Sequence, residues 1–228
     1  MPTPGTLAEY ITVPTHRLHE QPPHLSDEQA AALPLAALTA FRAVFRKGEV
    51  ATSKKVLITG IGGGVALFAL QFTLAAGAEV YVNSGSDEKL EKARSLGAYF
   101  GINYHQDKWF KALQEKNPSG FDAIIDGAGG AAFGELTKML APAGNMVVYG
   151  TTAGQPSPLH LPRLFFSQGA IKGSTMGNDE EFRDMVAWVS EKQIVPVISS
   201  VRPFEEVISA FDEMAEGKQF GKLVIKIA

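Results

Sequence analysis

The chain has 228 residues, 45% of them hydrophobic and 20% charged, with a net charge of −3 and a pI near 6.0. That is ordinary for a globular protein with material for a sizeable core, and no basic stripe marks it for nucleic acid. Cysteine is absent, which excludes disulfides, thiolate nucleophiles and any zinc site built on Cys ligands.

The N-terminal Met1-Pro-Thr-Pro-Gly5 has neither the basic start nor the apolar core of a secretory signal, and no apolar run reaches the roughly 18 residues of a membrane span. The expected location is cytoplasmic. Gly5–Val13 is β-branched and aromatic and reads as a strand. His16, His19 and His24 follow in a stretch interrupted by Pro22 and Pro23; they form no i, i+4 pair and read as surface loop histidines. Ser26-Asp-Glu-Gln29 is a capping box opening a helix, Pro34 breaks that helix, and a second runs through Leu35–Phe45.

From Lys55 strand and helix alternate. Strands are predicted near 56–59, 79–82, 99–103, 122–126 and 145–149, and helices near 64–76, 87–96, 107–116 and 131–140. Val56-Leu-Ile-Thr59, Ala123-Ile-Ile125 and Met146-Val-Val-Tyr149 are continuous apolar runs, as in a parallel sheet covered on both faces. The fold class is therefore α/β, a doubly wound parallel sheet of Rossmann type. A strand near Ala170–Ser174 and a helix near Asp179–Lys192 extend it. Phe204–Glu216 is amphipathic at helical spacing, Gly217–Gly221 forms a turn, and Lys222–Ile227 reads as a last strand.

The most informative stretch is Val56–Ala66, where a buried strand runs into Gly60, Gly62, Gly63 and Gly64 and a helix begins at once. Glycines let the backbone approach a pyrophosphate, and the helix N-terminus supplies free N–H groups and a positive dipole end. Ala66 is small enough for close helix–strand packing. The second strand decides the cofactor. An NAD site usually ends that strand in Asp or Glu to take the ribose 2′-OH, yet here it ends in Asn83-Ser-Gly-Ser86. Asp87 and Glu88 fit as first-turn acids behind a Ser86 N-cap, whereas Lys89 opposes the helix dipole. A 2′-phosphate beside Ser84 and Lys89 accounts for that placement, so NADP(H) is the expected cofactor. Gly127 and Gly150 close the fourth and fifth strands at the carboxyl edge, where ligands bind in open α/β sheets. No Ser/His/Asp arrangement, Gly-x-Ser-x-Gly elbow or Tyr-x-x-x-Lys pair is present, so the catalytic residues are left unassigned. With a nicotinamide cofactor the hydride chemistry belongs mostly to the cofactor.

Three segments, Ala30–Ala40, the glycine turn with its helix, and Gly217-Lys-Gln-Phe-Gly-Lys-Leu-Val224, together resemble the medium-chain dehydrogenase/reductase superfamily. The likeness is closest to its quinone oxidoreductase and zinc-type alcohol dehydrogenase-like branch and covers nearly the whole chain. The resemblance implies Thr39 near the nicotinamide and Gly63, Gly64 and Val65 at the pyrophosphate. It also implies Ser84 and Lys89 as the NADP-selecting pair and Tyr104 near the phosphate or adenine. Phe165 and Phe166 fall where the family covers the nicotinamide, and Lys222 and Leu223 where the C-terminal strand returns to the cleft. Members usually carry about a hundred further N-terminal residues in a GroES-like catalytic domain.

The expected organisation is thus a remnant of that domain over 1–34, a nucleotide-binding domain over 35–195 and a returning segment over 196–228. The expected function is zinc-independent, NADPH-dependent reduction of a carbonyl or activated C=C in a small substrate. The alternatives are an NADP-binding protein impaired in catalysis and a zinc-type alcohol dehydrogenase-like enzyme. A homodimer through the strand near Ala170–Ser174 is expected, without membrane or nucleic-acid partners.

Overall fold

A computed structural model describes residues 5–227. Six strands, β1 (Lys55–Ile58), β2 (Glu79–Ser84), β3 (Phe100–Asn103), β4 (Phe121–Asp126), β5 (Leu140–Val148) and β6 (Ala170–Gly173), form one sheet in the order β3-β2-β1-β4-β5-β6. Every neighbouring pair is parallel. The order reverses between β1 and β4, which opens a crevice beyond their carboxyl ends.

Helices α1 (Asp27–Ala31), α2 (Pro34–Phe41), α3 (Gly64–Ala75), α4 (Asp87–Ser95), α5 (Trp109–Lys116), α6 (Phe133–Thr137), α7 (Leu161–Phe166) and α8 (Asp179–Glu191) precede, connect or follow these strands. Strand periodicity sends β1 into both layers. Val56 and Ile58 pack among residues of α2, α3 and α8, while Leu57 packs on the opposite face with Trp109, Leu113 and Leu136. Helix α3 lies between the sheet and α2, so it is apolar nearly all round; Leu67, Phe68, Leu70 and Phe72 are buried. Each such side chain contributes about 1.5–3 kcal/mol by leaving water, and together they hold the glycine turn at the head of α3.

The capping box at Ser26 forms: the Gln29 amide donates to the Ser26 hydroxyl and the Ser26 amide donates to the Gln29 side chain. The second helix differs from its predicted Leu35–Phe45. After Phe41 it widens into a π-helical turn over Arg42–Lys47, closed by an i→i−5 bond of 2.8 Å from the Gly48 amide to the Ala43 carbonyl. The predicted helix at 131–140 is shorter, because Leu140 already pairs with Phe121.

The predicted strand Gly5–Val13 does not form; that segment is irregular, and no neighbouring backbone pairs with it among the described residues. β-branched content favours an extended chain, but a strand also needs a neighbour's N–H and C=O groups. Outside the six-stranded sheet the described strands are β7 (Ile198–Pro203) and β8 (Lys222–Lys226), a separate parallel pair joined through α9 (Val207–Ala215). His24 is not a surface histidine either: it is half-buried, with Nε2 3.1 Å from the Ile194 carbonyl. Among the described residues no helix is long and apolar enough to cross a membrane.

Candidate cofactor site

The glycine turn leaves β1 at the crevice. Asn83, at the end of β2, fixes its shape: the Asn83 carboxamide oxygen accepts from the Gly60 amide at 2.8 Å, and its carbonyl accepts from the Ile61 amide at 2.9 Å. Gly60 has φ +65° with open space where a Cβ would stand, and Gly63, the N-cap of α3, has only the Gly60 carbonyl nearby. These two face the crevice. Helix α3 starts with no side-chain cap and no acid in its first turn, so its leading amides remain available to an anion. Val65 is half-buried in that turn.

Gly62 and Gly64 serve a second purpose. A Cβ on Gly62, which also has φ +123°, would lie 2.8 Å from Lys89 Cδ, and one on Gly64 would lie 2.8 Å from Lys222 Cδ. Two lysine stems are therefore laid across the turn, one from α4 and one from β8. Neither ammonium forms an ion pair among the described residues. Burial depresses the pKa of both below the usual lysine value, only partly offset at Lys89 by the Glu88 charge. Paired cations with no carboxylate beside a glycine turn favour a bound anion.

The end of β2 has the neutral character read from its sequence. Ser86 caps α4, its hydroxyl accepting from the Lys89 amide at 3.3 Å, as predicted. The Ser84 hydroxyl accepts from the Ser86 amide at 3.2 Å, which leaves its own proton free to donate. The nearby acids are occupied elsewhere: Asp87 accepts from Asn103 Nδ2 at 2.9 Å, and Glu88 pairs with Lys92 at 2.6 Å. Ser84, Lys89 and Tyr104 line one pocket of about 500 Å³. Tyr104 also reaches a second, of about 530 Å³, with Thr59, Gly60, Trp109, Phe110 and Asp126.

Asp126, fully buried at the end of β4, organises that second pocket. Its carboxylate accepts from the Thr59 hydroxyl at 2.5 Å and from the Ala128 and Gly129 amides at 3.2 and 3.0 Å. Gly127 and Gly150 are needed for close packing at this edge. The Tyr149 ring fills the space of a Cβ at Gly127, and the Gly127 carbonyl stands 2.9 Å from a Cβ at Gly150. Burial and the Asp126 charge push the Tyr149 phenol up.

The remaining predicted residues disperse. Thr39 is buried in α2, its hydroxyl donating to the Leu35 carbonyl at 2.9 Å. Phe165 and Phe166 stand exposed on α7 and line neither pocket. Lys222 and Leu223 take opposite faces of β8, Lys222 over Gly64 and Leu223 in an apolar groove with Phe211 and Met214 of α9. Asn83, Asp126, His105 and Lys218 were not singled out by sequence. Asn83 and Asp126 close predicted strands, a usable signal; His105 and Lys218 reach the site only through folding.

Among the described residues no group of three or more His, Cys, Asp or Glu could hold a metal.

The sequence profile of the family described as zinc-binding dehydrogenase matches residues 64–191. The chain is 40% identical to the zinc-type alcohol dehydrogenase-like protein YogA of Leptosphaeria maculans, over 98% of this chain and 65% of that one. It thus spans 65% of that relative's length. A crystal structure of an NAD-dependent alcohol dehydrogenase superposes with a TM-score of 0.91 at 33% identity, covering 98% of this chain and 66% of the other. The 2-octenoyl-CoA carboxylase reductase CinF, in complex with NADP and 2-octenoyl-CoA, superposes with a TM-score of 0.90 at 28% identity, over 97% and 54%.

Proposed function

The chain belongs to the zinc-binding dehydrogenases of the medium-chain dehydrogenase/reductase superfamily, and on that premise we propose that it binds NADPH and serves in reducing a carbonyl or an activated C=C of a small organic substrate. Quinones, enones, aldehydes and ketones are the substrate class. One observation carries the cofactor choice: Lys89, half-buried and without a carboxylate partner, lies across Gly62 beside a Ser84 hydroxyl with a free proton. An NAD site would set an acid there. The NADP held by CinF supports the same choice, while the NAD-dependent neighbour shows that the fold alone does not make it.

In this reading the Gly60–Gly64 turn and the first amides of α3 hold the pyrophosphate between the two lysines. Ser84 and Lys89 take the 2′-phosphate, and the Thr59–Asp126 pocket with Trp109 and Tyr104 receives the adenosine. When bound, NADPH supplies the hydride. The chain's own contribution is to bind and orient it. Strand β6 lies at the sheet edge with unpaired backbone groups, and we infer that a second copy pairs there; sedimentation as a monomer refutes that pairing.

The test is titration with NADPH and NADH, followed by NADPH oxidation across a quinone, enone and aldehyde panel. Tighter binding of NADPH with turnover supports the proposal. Equal or tighter binding of NADH overturns the cofactor assignment. Binding of NADPH with no turnover on any panel member replaces the reductase with a cofactor-binding protein.

A further inference from the structure

The pocket at Ser84 and Lys89 is closed by two residues that no sequence motif marks. Besides the β2–α4 turn, it is lined by His105, just past β3, and by Lys218, on the turn between α9 and β8. We propose that Lys218 is a specificity-determining residue for the cofactor, joining His105, Ser84 and Lys89 around the 2′-phosphate so that NADPH, but not NADH, ties the C-terminal turn to the nucleotide domain. This rests on the NADPH reading above.

Three relationships carry it. First, the Gly217–Gly221 turn already sits on the glycine turn: Lys89 Nζ donates to the Gly217 carbonyl at 2.5 Å, and the Gly221 amide donates to the Gly62 carbonyl at 2.9 Å. Lys218 is therefore held at the mouth of the pocket by bonds on either side of it. Second, the charges facing the pocket leave it cationic. Glu88 is paired with Lys92, Asp87 is bonded by Asn103, and Lys218 pairs with Glu216, an exposed contact that water can replace. An ammonium has three protons, so Lys89 and Lys218 can each keep a present partner and still donate to a phosphate. Third, His105 has an edge aimed inward. Its Nε2 would lie 2.8 Å from a Cβ on Gly85, its ring meets that of Tyr104 at 4.7 Å, and its amide donates to Asn103 at 3.0 Å. The absence of a side chain at Gly85 is what admits the Tyr104 and His105 rings to this wall.

The tail's interest in the phosphate follows from connectivity. The turn belongs to the β7–α9–β8 unit, which is not part of the six-stranded sheet. A phosphate bridging Lys89 and Lys218 adds charge-assisted bonds between two units otherwise joined at this place by neutral carbonyl acceptors.

The experiment titrates the full 228-residue chain with adenosine 2′,5′-bisphosphate and with AMP, following tryptophan fluorescence, and repeats both with Lys218→Ala, Lys218→Arg and His105→Ala. Amide hydrogen exchange over residues 216–221 is read in parallel with NADPH and NADH. Lys218→Ala is expected to cut the preference for the bisphosphate by about tenfold or more, the scale of one charge-assisted bond. Lys218→Arg is expected to retain it, AMP binding to stay unchanged, and NADPH alone to protect the turn. A wild-type preference that survives both alanine variants, with the turn equally protected by either cofactor, overturns the inference and leaves the Lys89 assignment standing. No wild-type preference for the bisphosphate overturns both.

Discussion

Lys89 Nζ donates to the Gly217 carbonyl at 2.5 Å, across 128 residues of sequence. The bond places the ammonium of a half-buried lysine over Gly62 and leaves it without a carboxylate. The same bond anchors the C-terminal turn, so the residue proposed to select the cofactor also binds the tail.

Lys89→Met separates those roles from packing, because Met keeps a stem over Gly62 and removes the charge. NADPH affinity is expected to fall about tenfold or more, since a hydrogen bond to a charged group contributes roughly 1.5–3 kcal/mol. NADH affinity should change little. An unchanged NADPH/NADH ratio in fluorescence titration refutes the assignment.

Gly60 and Gly62 differ in what surrounds them. In the unliganded protein Gly60→Ala meets only backbone strain at φ +65°, an expected loss of about 1–2 kcal/mol. Its methyl would stand in the crevice proposed for the pyrophosphate, so NADPH and NADH should weaken together. Gly62→Ala adds a contact at 2.8 Å with Lys89 and displaces that side chain, so it should also weaken NADPH binding. Urea melts combined with NADPH and NADH titrations of both variants check the contrast; an NADPH/NADH ratio that Gly62→Ala leaves as high as Gly60→Ala does would show that the Lys89 contact is unimportant.

Burial holds the Lys222 ammonium below the ordinary lysine value of 10.5. The protonated form attracts a pyrophosphate, so affinity is full at neutral pH and falls as pH rises through the depressed value, earlier than for an exposed lysine. The unliganded fold gains stability over the same rise, because it sheds the buried charge while the unfolded chain still carries it. Lys222→Met should flatten both dependences and weaken NADH and NADPH by the same factor. A selective loss of NADPH would assign Lys222 to the 2′-phosphate instead.

Asp126→Ala strips the acceptor from the Thr59 hydroxyl and from two loop amides in a buried setting. The expected destabilisation is about 2–4 kcal/mol, the scale of stranded buried donors. Asp126→Asn, which keeps one acceptor oxygen, should recover part of it. A thermal melt of Asp126→Ala close to wild type would mean that the loop re-forms its bonds with water.

Local chemistry was legible wherever a residue's role is settled within a few positions. The Ser26 and Ser86 caps, the apolar runs of β1, β4 and β5 and the glycine turn all follow from backbone and side-chain preferences that act locally. Parallel order followed as well, since short buried runs alternating with helices have few other ways to cover both faces. Gly5–Val13 shows where such reasoning stops: its residues favour extension, but pairing depends on a neighbour that local preference does not supply. Strand β7 is the converse, a segment that follows Pro196 and ends in Pro203, yet becomes a strand because β8 lies alongside it.

The candidate site divides in the same way. By itself the sequence determined a glycine turn between strand and helix and a β2 end without an acid, because both are consequences of residue type at one place in the chain. Only the tertiary structure decided that Lys89 and Lys222 cross the turn, that Thr39 spends its hydroxyl on its own helix, and that Leu223 faces away while its neighbour faces in. Lys218 is 129 positions from Lys89, and what brings them to one pocket is the packing of a tail turn on a glycine turn, a contact between segments that local preference cannot register.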